Sequence, residues 1–385
     1  MRAARCQPEQ ITLSVFFLAS PRATSPASHM PKKSAKLTAE KIPDDTWRAL
    51  YEAADALGEL QLWQLMGDAE LLGVDDPHTG EPVLGAVMGR LGEVFGIAIH
   101  HGPAGLRWIL ELATSDEPEL DMDAFLAVAV LKVEFVKKAE LPAEDKRRVK
   151  ALGFTPRGGM RARWPLFESK RPDHMPGPIH AEDARLLLHA LPRLTALGAA
   201  VMPILEKDDP VPADGFAFWP AGKTPDEPLR TEDIEWRHVT MPSEPAPAIF
   251  SADEKAIAQL AALPKHPGLV IELDAFAGTA TIAADTGLQT MKAALAAESR
   301  SGSIVGLELG VTPADTLENI AGRALMAGIK ALGICPGTVQ VTKRNLLSAL
   351  APFAAKLGIR IVHCHELPAI EEARAAMPPH FGLGR

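Results

Sequence analysis

The chain has little of what most familiar chemistries require. Its three cysteines (Cys6, Cys335 and Cys364) lie far apart with no CxxC pair, so the sequence offers neither a disulfide framework nor a zinc signature, and a reducing cytoplasm is the simplest setting. Aromatic residues make up only 5%, with a single tyrosine. Alanine and leucine fill the apolar positions instead, which favours helices in an α/β setting over an all-β sandwich. No run of about 18 apolar residues occurs, so no membrane span is expected. GxxxxGK[ST], a strand–GxGxxG–helix unit, GxSxG, HExxH and an EF-hand loop are all missing. No cofactor is expected on these grounds.

Positive charge is short as well. A net charge of −9 argues against a general nucleic-acid binder. The deficit is uneven: residues 1–250 hold 28 basic and 37 acidic residues, whereas Ser251 onward holds 12 of each. Within the acidic part, Lys146 to Arg171 reverses the sign, with nine basic residues against Glu168 alone.

That reversal overlaps the most distinctive stretch, Leu152–Ile179 (LGFTPRGGMRARWPLFESKRPDHMPGPI), which packs glycines, prolines, arginines and two large aromatics with no helical or strand period. It reads as an ordered, non-repetitive loop and as the candidate binding site. Arg157, Arg161, Arg163, Lys170 and Arg171 surround Trp164 and Phe167, and arginines beside an aromatic can hold a phosphate while a base stacks on the ring. The competing reading plugs the core with both aromatics and pairs the arginines with nearby acids.

At 385 residues the chain is long enough for two or three domains. Residues 1–43 read as a disordered tail, with Met30 as an alternative start and the short apolar run 11–19 as a weak signal-peptide core. An α+β domain is expected over 44–240, a proline-rich linker over 241–254 and a smaller α/β domain over 255–385. In the first, Trp47, Leu50, Tyr51, Ala54, Leu57 and Trp63 mark a buried helix stripe. Strands follow at 70–74, 83–88 and 94–100, a buried strand over 125–135, a charged helix over 143–151, and a helix from His180 that Pro192 kinks or ends. In the second, strands at 269–273, near 279–283 and at 304–309 precede an α-β-α-β run, the order of an RNase H-like domain.

Such a domain suggests metal-dependent phosphoester chemistry. Asp274 ends its first strand and Glu308 lies on the third, but Thr342 occupies the place of a further carboxylate, so the catalytic set is incomplete. His363 and His365, two apart on a strand, are the candidate metal ligands, with His100-His101 weaker.

Three stretches together, WRALYEAADALGELQLW, DPHTGEPVLGAVMGRLGEVFGIAIHHGPAGL and EDKRRVKALGFTPRGGMRARWPLFESKRPDHMP, resemble a group of bacterial two-domain proteins of unknown function. The resemblance covers about Thr46–Met377. It implies an N-terminal domain with these motifs, then a smaller α/β domain ending in ELPAIEEA (Glu366–Ala373), and a cytoplasmic protein starting at Met30. The group's loop runs close to FRG…WPxFRSxxPGYxPW. Here Thr155-Pro156 precede Arg157, Glu168 stands where arginine is usual and Asp173-His174 replace Gly-Tyr, which weakens any shared basic or aromatic site. The resemblance implies no activity. The reading is therefore an α/β protein, α+β followed by RNase H-like, that binds nucleic acid or a protein through 146–171 without catalysis and without a membrane. The alternative is a metal-dependent enzyme on nucleic acid or another phosphoester.

Overall fold

The computed structural model describes residues 41–67, 69–115, 122–157, 163–207, 209–212, 215–244, 248–284, 287–312 and 314–376. The expected tail therefore lies outside the described residues but for its last three. The described residues form two compact α/β units: one up to Pro172 together with Pro176–Ser243, the other Asp173–Met175 together with Glu244 onward.

The first unit runs α1 (Asp44–Leu60), β1 (Leu71–Asp75), β2 (Pro82–Met88), β3 (Gly96–His100), α2 (Gly102–Thr114), α3 (Met122–Ala127), β4 (Val130–Lys137), α4 (Ala143–Leu152), β5 (Arg163–Lys170), α5 (Ala181–Glu206), β6 (Phe216–Phe218) and β7 (Glu235–Arg237). Its seven-stranded sheet has the order β5-β4-β3-β2-β1-β6-β7, antiparallel except for the parallel β1–β6 pair. Strand alternation sorts the apolar residues into two layers. Val83 and Val87 of β2 join the α1 and α5 side with Leu50, Tyr51, Leu187, Leu191 and Leu194, while Leu84, Ala86 and Met88 face α2 and α3.

Three expectations for this unit change. The apolar run 125–135 is not one strand: Met122–Ala127 is helical and only Val130 onward is extended. Helix α5 does not stop at Pro192 but continues through it and through Pro203 to Glu206. A proline inside a helix costs about 3 kcal/mol. Leu187, Leu191, Leu194 and Leu197, all fully buried, each return about 2 kcal/mol on burial and outweigh that loss. The same leucines explain why α5, long and apolar enough to cross a membrane, is a core helix here. Third, the stretch read as an aperiodic loop contains β5, which pairs with β4 from Arg163↔Lys137 to Lys170↔Val130. Pro165 masked that strand in the sequence. β5 is an edge strand, where a missing N–H can face away from the ladder.

The second unit runs α6 (Glu254–Ala261), β8 (Lys265–Ala284), β9 (Gly287–Glu298), β10 (Ile304–Gly310), α7 (Leu317–Leu332), β11 (Cys335–Val341), α8 (Arg344–Leu357), β12 (Arg360–His363) and α9 (Pro368–Ala376). The sheet order is β10-β9-β8-β11-β12. β8, β9 and β10 are antiparallel, and β11 and β12 run parallel to β8. Helices α6, α7 and α8 cover one face and α9 the other. The strand expected near 279–283 is the far end of β8, and the second strand is the alanine-rich stretch that followed it. Alanine is a poor strand former, yet Ala294 and Ala296 on one face and Ala293 and Ala297 on the other let helices close on both sides. The expected linker also shrinks. Phe250 is buried against Phe353, and its N–H donates to Ala349 O at 3.1 Å.

Close backbone packing sets a sharp test in the first unit. A Cβ on Gly73 in β1 would lie 2.4 Å from the ring of Phe218, which is fully buried and has no room to withdraw. Gly73→Ala should lower stability by about 1–3 kcal/mol in urea unfolding. An unchanged midpoint would show that the β1–β6 contact is looser than described.

Candidate functional site

The basic stretch enters the first unit in two parts. Helix α4 ends on Gly153, whose φ of 65° is the left-handed turn that only glycine adopts without strain. The chain then reaches Arg157, whose backbone N–H donates to both oxygens of Asp55 at 3.1 and 3.2 Å and whose Nε donates to Asp55 at 2.9 Å. Asp55 is buried on α1, and among the described residues its charge is compensated by this arrangement. β5 begins at Arg163, whose Nη1 donates to Phe135 O at 3.2 Å while its guanidinium lies 4.0 Å over the Phe95 ring.

Both aromatics point inward. Trp164 and Phe167 are each 5% exposed. Phe167 packs edge-on against Trp47 at 5.9 Å and Tyr51 at 5.4 Å, and Trp164 lies against Phe154 with Lys138 Nζ 4.5 Å over its ring. Neither can stack on a nucleic-acid base, which corrects that part of the sequence reading. Lys170 is corrected too. It is 3% exposed and its ammonium donates to Leu126 O and Val128 O at 3.1 and 2.8 Å. Arg171 turns to Glu182 and Asp183 at 3.7 and 4.0 Å. Arg148 is spent on Glu144, Asp145 and the Trp47 ring. Arg161 lies outside the described residues. Glu168 forms a 2.6 Å ion pair with buried Lys132, which also meets Glu134 at 2.8 Å. Burial pulls the Lys132 pKa down, but the two carboxylates outweigh it and hold the ammonium above its ordinary value.

Two of the candidate residues do converge. Arg157 and Arg163 line one cleft of about 280 Å³ with Asp55, Glu59, Gln61, Trp63 and Phe135. Among the described residues the terminal amino groups of Arg157 make no hydrogen bond, and Glu59 stands off at 3.9 Å from its Nε. The cleft thus presents donors fixed in place by a buried acid and an aromatic ring. Sequence reasoning missed Asp55. Its signal was there: Asp55 falls four residues after Tyr51 on the apolar stripe, where a charge needs a buried partner.

In the second unit the described residues do not bring the candidate carboxylates together. Asp274 pairs across the sheet with Leu295, which pairs with Leu307, whereas Glu308 pairs with Ala294. Cross-strand partners share a face and successive residues alternate, so Asp274 and Glu308 point to opposite sides. Asp274 is held by Arg374 of α9 at 3.1 Å and Lys343 at 3.5 Å; Glu308 lies 3.5 Å from Arg323. Glu272, on the Asp274 side, accepts from Ala369 and Ile370 N–H at 2.8 and 3.2 Å and from the Ser299 hydroxyl at 2.7 Å. The carboxylates of β8 therefore clamp both ends of α9. His363 and His365 are exposed, with near-perpendicular rings 5.9 Å apart. Among the described residues no group of three or more His, Cys, Asp or Glu could hold a metal ion. His100 is fully buried with neither ring nitrogen hydrogen-bonded, and burial, then His101 and Lys170, push its pKa down to about 3.

These features describe an α/β protein of two units, with an arginine-lined cleft in the first and, on β8 of the second, Glu272 and Asp274 holding α9. Residues 47–209 match the family model described as Domain of unknown function (DUF7309), and residues 256–378 match Domain of unknown function (DUF6930). The chain belongs to a two-domain family of unknown function defined by that tandem. No curated protein and no solved structure matches it.

Two outcomes follow from these buried charges. Glu272→Ala leaves two helix N–H groups without acceptors and should cost about 3 kcal/mol, with faster hydrogen exchange confined to α9. Exchange in α9 equal to wild type would refute the clamp. The His100 pKa lies below the ordinary 6.5, so under pH 6.5 the unfolded chain takes up a proton that the folded chain refuses, and stability falls. Between pH 7 and pH 5 the loss from this group should be about 2 kcal/mol in urea unfolding. His100→Leu should remove it; identical pH dependence in the two proteins would contradict the assignment.

Proposed function

We propose that the protein is a non-catalytic binding protein that captures an acidic group of its partner in the Arg157–Arg163 cleft. One observation carries this reading: guanidinium groups on either side of residues 158–162 line the same cleft, and each keeps donors that no described residue takes. A planar fork fixed in advance binds a carboxylate or phosphate with little ordering cost. Glu59, beyond hydrogen-bond distance from Arg157, is the group that an incoming anion displaces.

An acidic protein segment suits this cleft better than nucleic acid. Trp164 and Phe167, the aromatics on which bases would stack, are buried, and a carboxylate needs no stacking platform. The second unit, in this reading, is an RNase H-like scaffold without nuclease chemistry. Its strand order, with β11 and β12 added parallel to the first strand of an antiparallel meander, supports that architecture. Its clamped carboxylates support a structural role. The free thiols of Cys335 and Cys364 suit a cytoplasmic setting.

The test is a titration of the full chain with a fluorescent hexaglutamate peptide and, in parallel, a single-stranded oligonucleotide, at two salt concentrations. The peptide should bind more weakly at high salt and lose at least tenfold in Arg157→Gln/Arg163→Gln, while Glu59→Gln should tighten it severalfold. Peptide binding unchanged by the double substitution would remove the cleft from the account, and stronger oligonucleotide binding lost in that variant would favour nucleic acid.

A further inference from the structure

A second cleft in the first unit is larger, lies on other elements and has a different chemistry. It encloses about 620 Å³, within the range of roughly 300–1,000 Å³ that holds a drug-sized molecule. Its walls come from the start of β1 and β6, the last turns of α2 and α5, and Trp236 of β7. Leu110, Val201, Leu205 and Phe216 make it apolar. Val211 and Met241, also in its lining, are 37% and 38% exposed. Large apolar side chains left in water around a concave apolar wall mark a surface that gains by being covered.

Its described lining carries one carboxylate, Glu70, and one imidazole, His238. Among the described residues that line it, Glu70 is the only acid and there is no lysine or arginine. One Glu70 oxygen accepts from Gly67 N–H at 2.6 Å, which holds the side chain, and the other makes no hydrogen bond to the described residues. The helix ends add to this. Ala113 and Thr114 of α2 and Leu205 of α5 bring two helix C-termini to the wall, each carrying a partial negative charge of about half a unit. Trp236 offers an indole ring, the aromatic face that attracts a cation most strongly. Among the described lining residues an anionic ligand would meet three negative groups and no lysine or arginine, with His238 the one imidazole. Glu70 is exposed, so a neutral apolar ligand would forgo its charge attraction and nothing more.

We propose that this cleft binds a small amphiphilic amine, with the apolar body between Leu110, Val201 and Phe216 and the ammonium at Glu70 and Trp236. The site is separate from the Arg157 cleft and does not depend on the function assigned to it.

The experiment compares three probes that share one apolar body: 4-phenylbutylamine, 4-phenylbutanol and 4-phenylbutyrate. Each is titrated calorimetrically into the full chain at pH 8. The amine should bind at least tenfold tighter than the carboxylate, with the alcohol between them. Glu70→Gln should bring the amine down to the alcohol's affinity and leave the alcohol unchanged. Val211→Trp, a change at an exposed position that leaves the core intact, should weaken all three by filling the cleft. Arg157→Gln should change none of them. Equal binding of the three probes, no binding of the amine below 5 mM, or an amine preference that survives Glu70→Gln would each overturn the proposal.

Discussion

A buried carboxylate organises the functional part of the first unit. Asp55 sits on the inner stripe of α1, where an unpaired charge costs several kcal/mol, and its three hydrogen bonds come from the backbone and side chain of one residue, Arg157. That pairing pins the chain after α4 at a fixed point on α1. From Arg163 the chain enters β5, and the register with β4 puts Phe167 against Trp47 and Tyr51. The same anchor that stabilises the unit holds the Arg157 guanidinium at the cleft, its terminal amino groups unbonded among the described residues.

The second unit uses charge for a different end. On β8, Glu272 and Asp274 lie two apart and so on one face, where paired carboxylates would be expected to gather a cation. Here they hold α9, Glu272 at its N-terminal N–H groups and Asp274 at Arg374 near its end. Negative charge at a helix N-terminus and positive charge in its last turn both oppose the helix dipole favourably. Arg374 also lies 4.2 Å over the Phe276 ring, so the ion pair is sealed by an aromatic wall. The unit keeps an acidic strand and spends its acids on packing.

Much of this architecture was legible in the residues. The stripe of Trp47, Leu50, Tyr51 and Ala54, the turn at Asp76–Glu81 and the glycines at 153, 333 and 358 mark elements that the structure contains, because period and punctuation are local properties. What escaped depends on partners distant in the chain. Pro165 hides a strand that is tolerated only at a sheet edge. Pro192 stays inside α5 because leucines on both sides of it are buried by other elements. The alanines of β9 form a strand because helices close on both faces. The site divided in the same way. Arg157 and Arg163 reach a common cleft, whereas Trp164, Phe167 and Lys170 are core, and composition alone does not distinguish an aromatic that stacks on a ligand from one that plugs a sheet.

The central claim is that Arg148, Lys170 and Arg171 are tied into the fold while Arg157 and Arg163 present guanidinium groups at the cleft. Phenylglyoxal labelling of the full chain, read residue by residue by mass spectrometry, addresses it directly. Arg157, with free terminal amino groups, should be modified fastest, and Arg148 and Arg171 slowly, since Arg148 is held by two acids and an aromatic ring and Arg171 faces two acids. An acidic peptide added beforehand should protect Arg157 and Arg163 together. Uniform labelling across these arginines, or protection that spares the pair, would contradict the account.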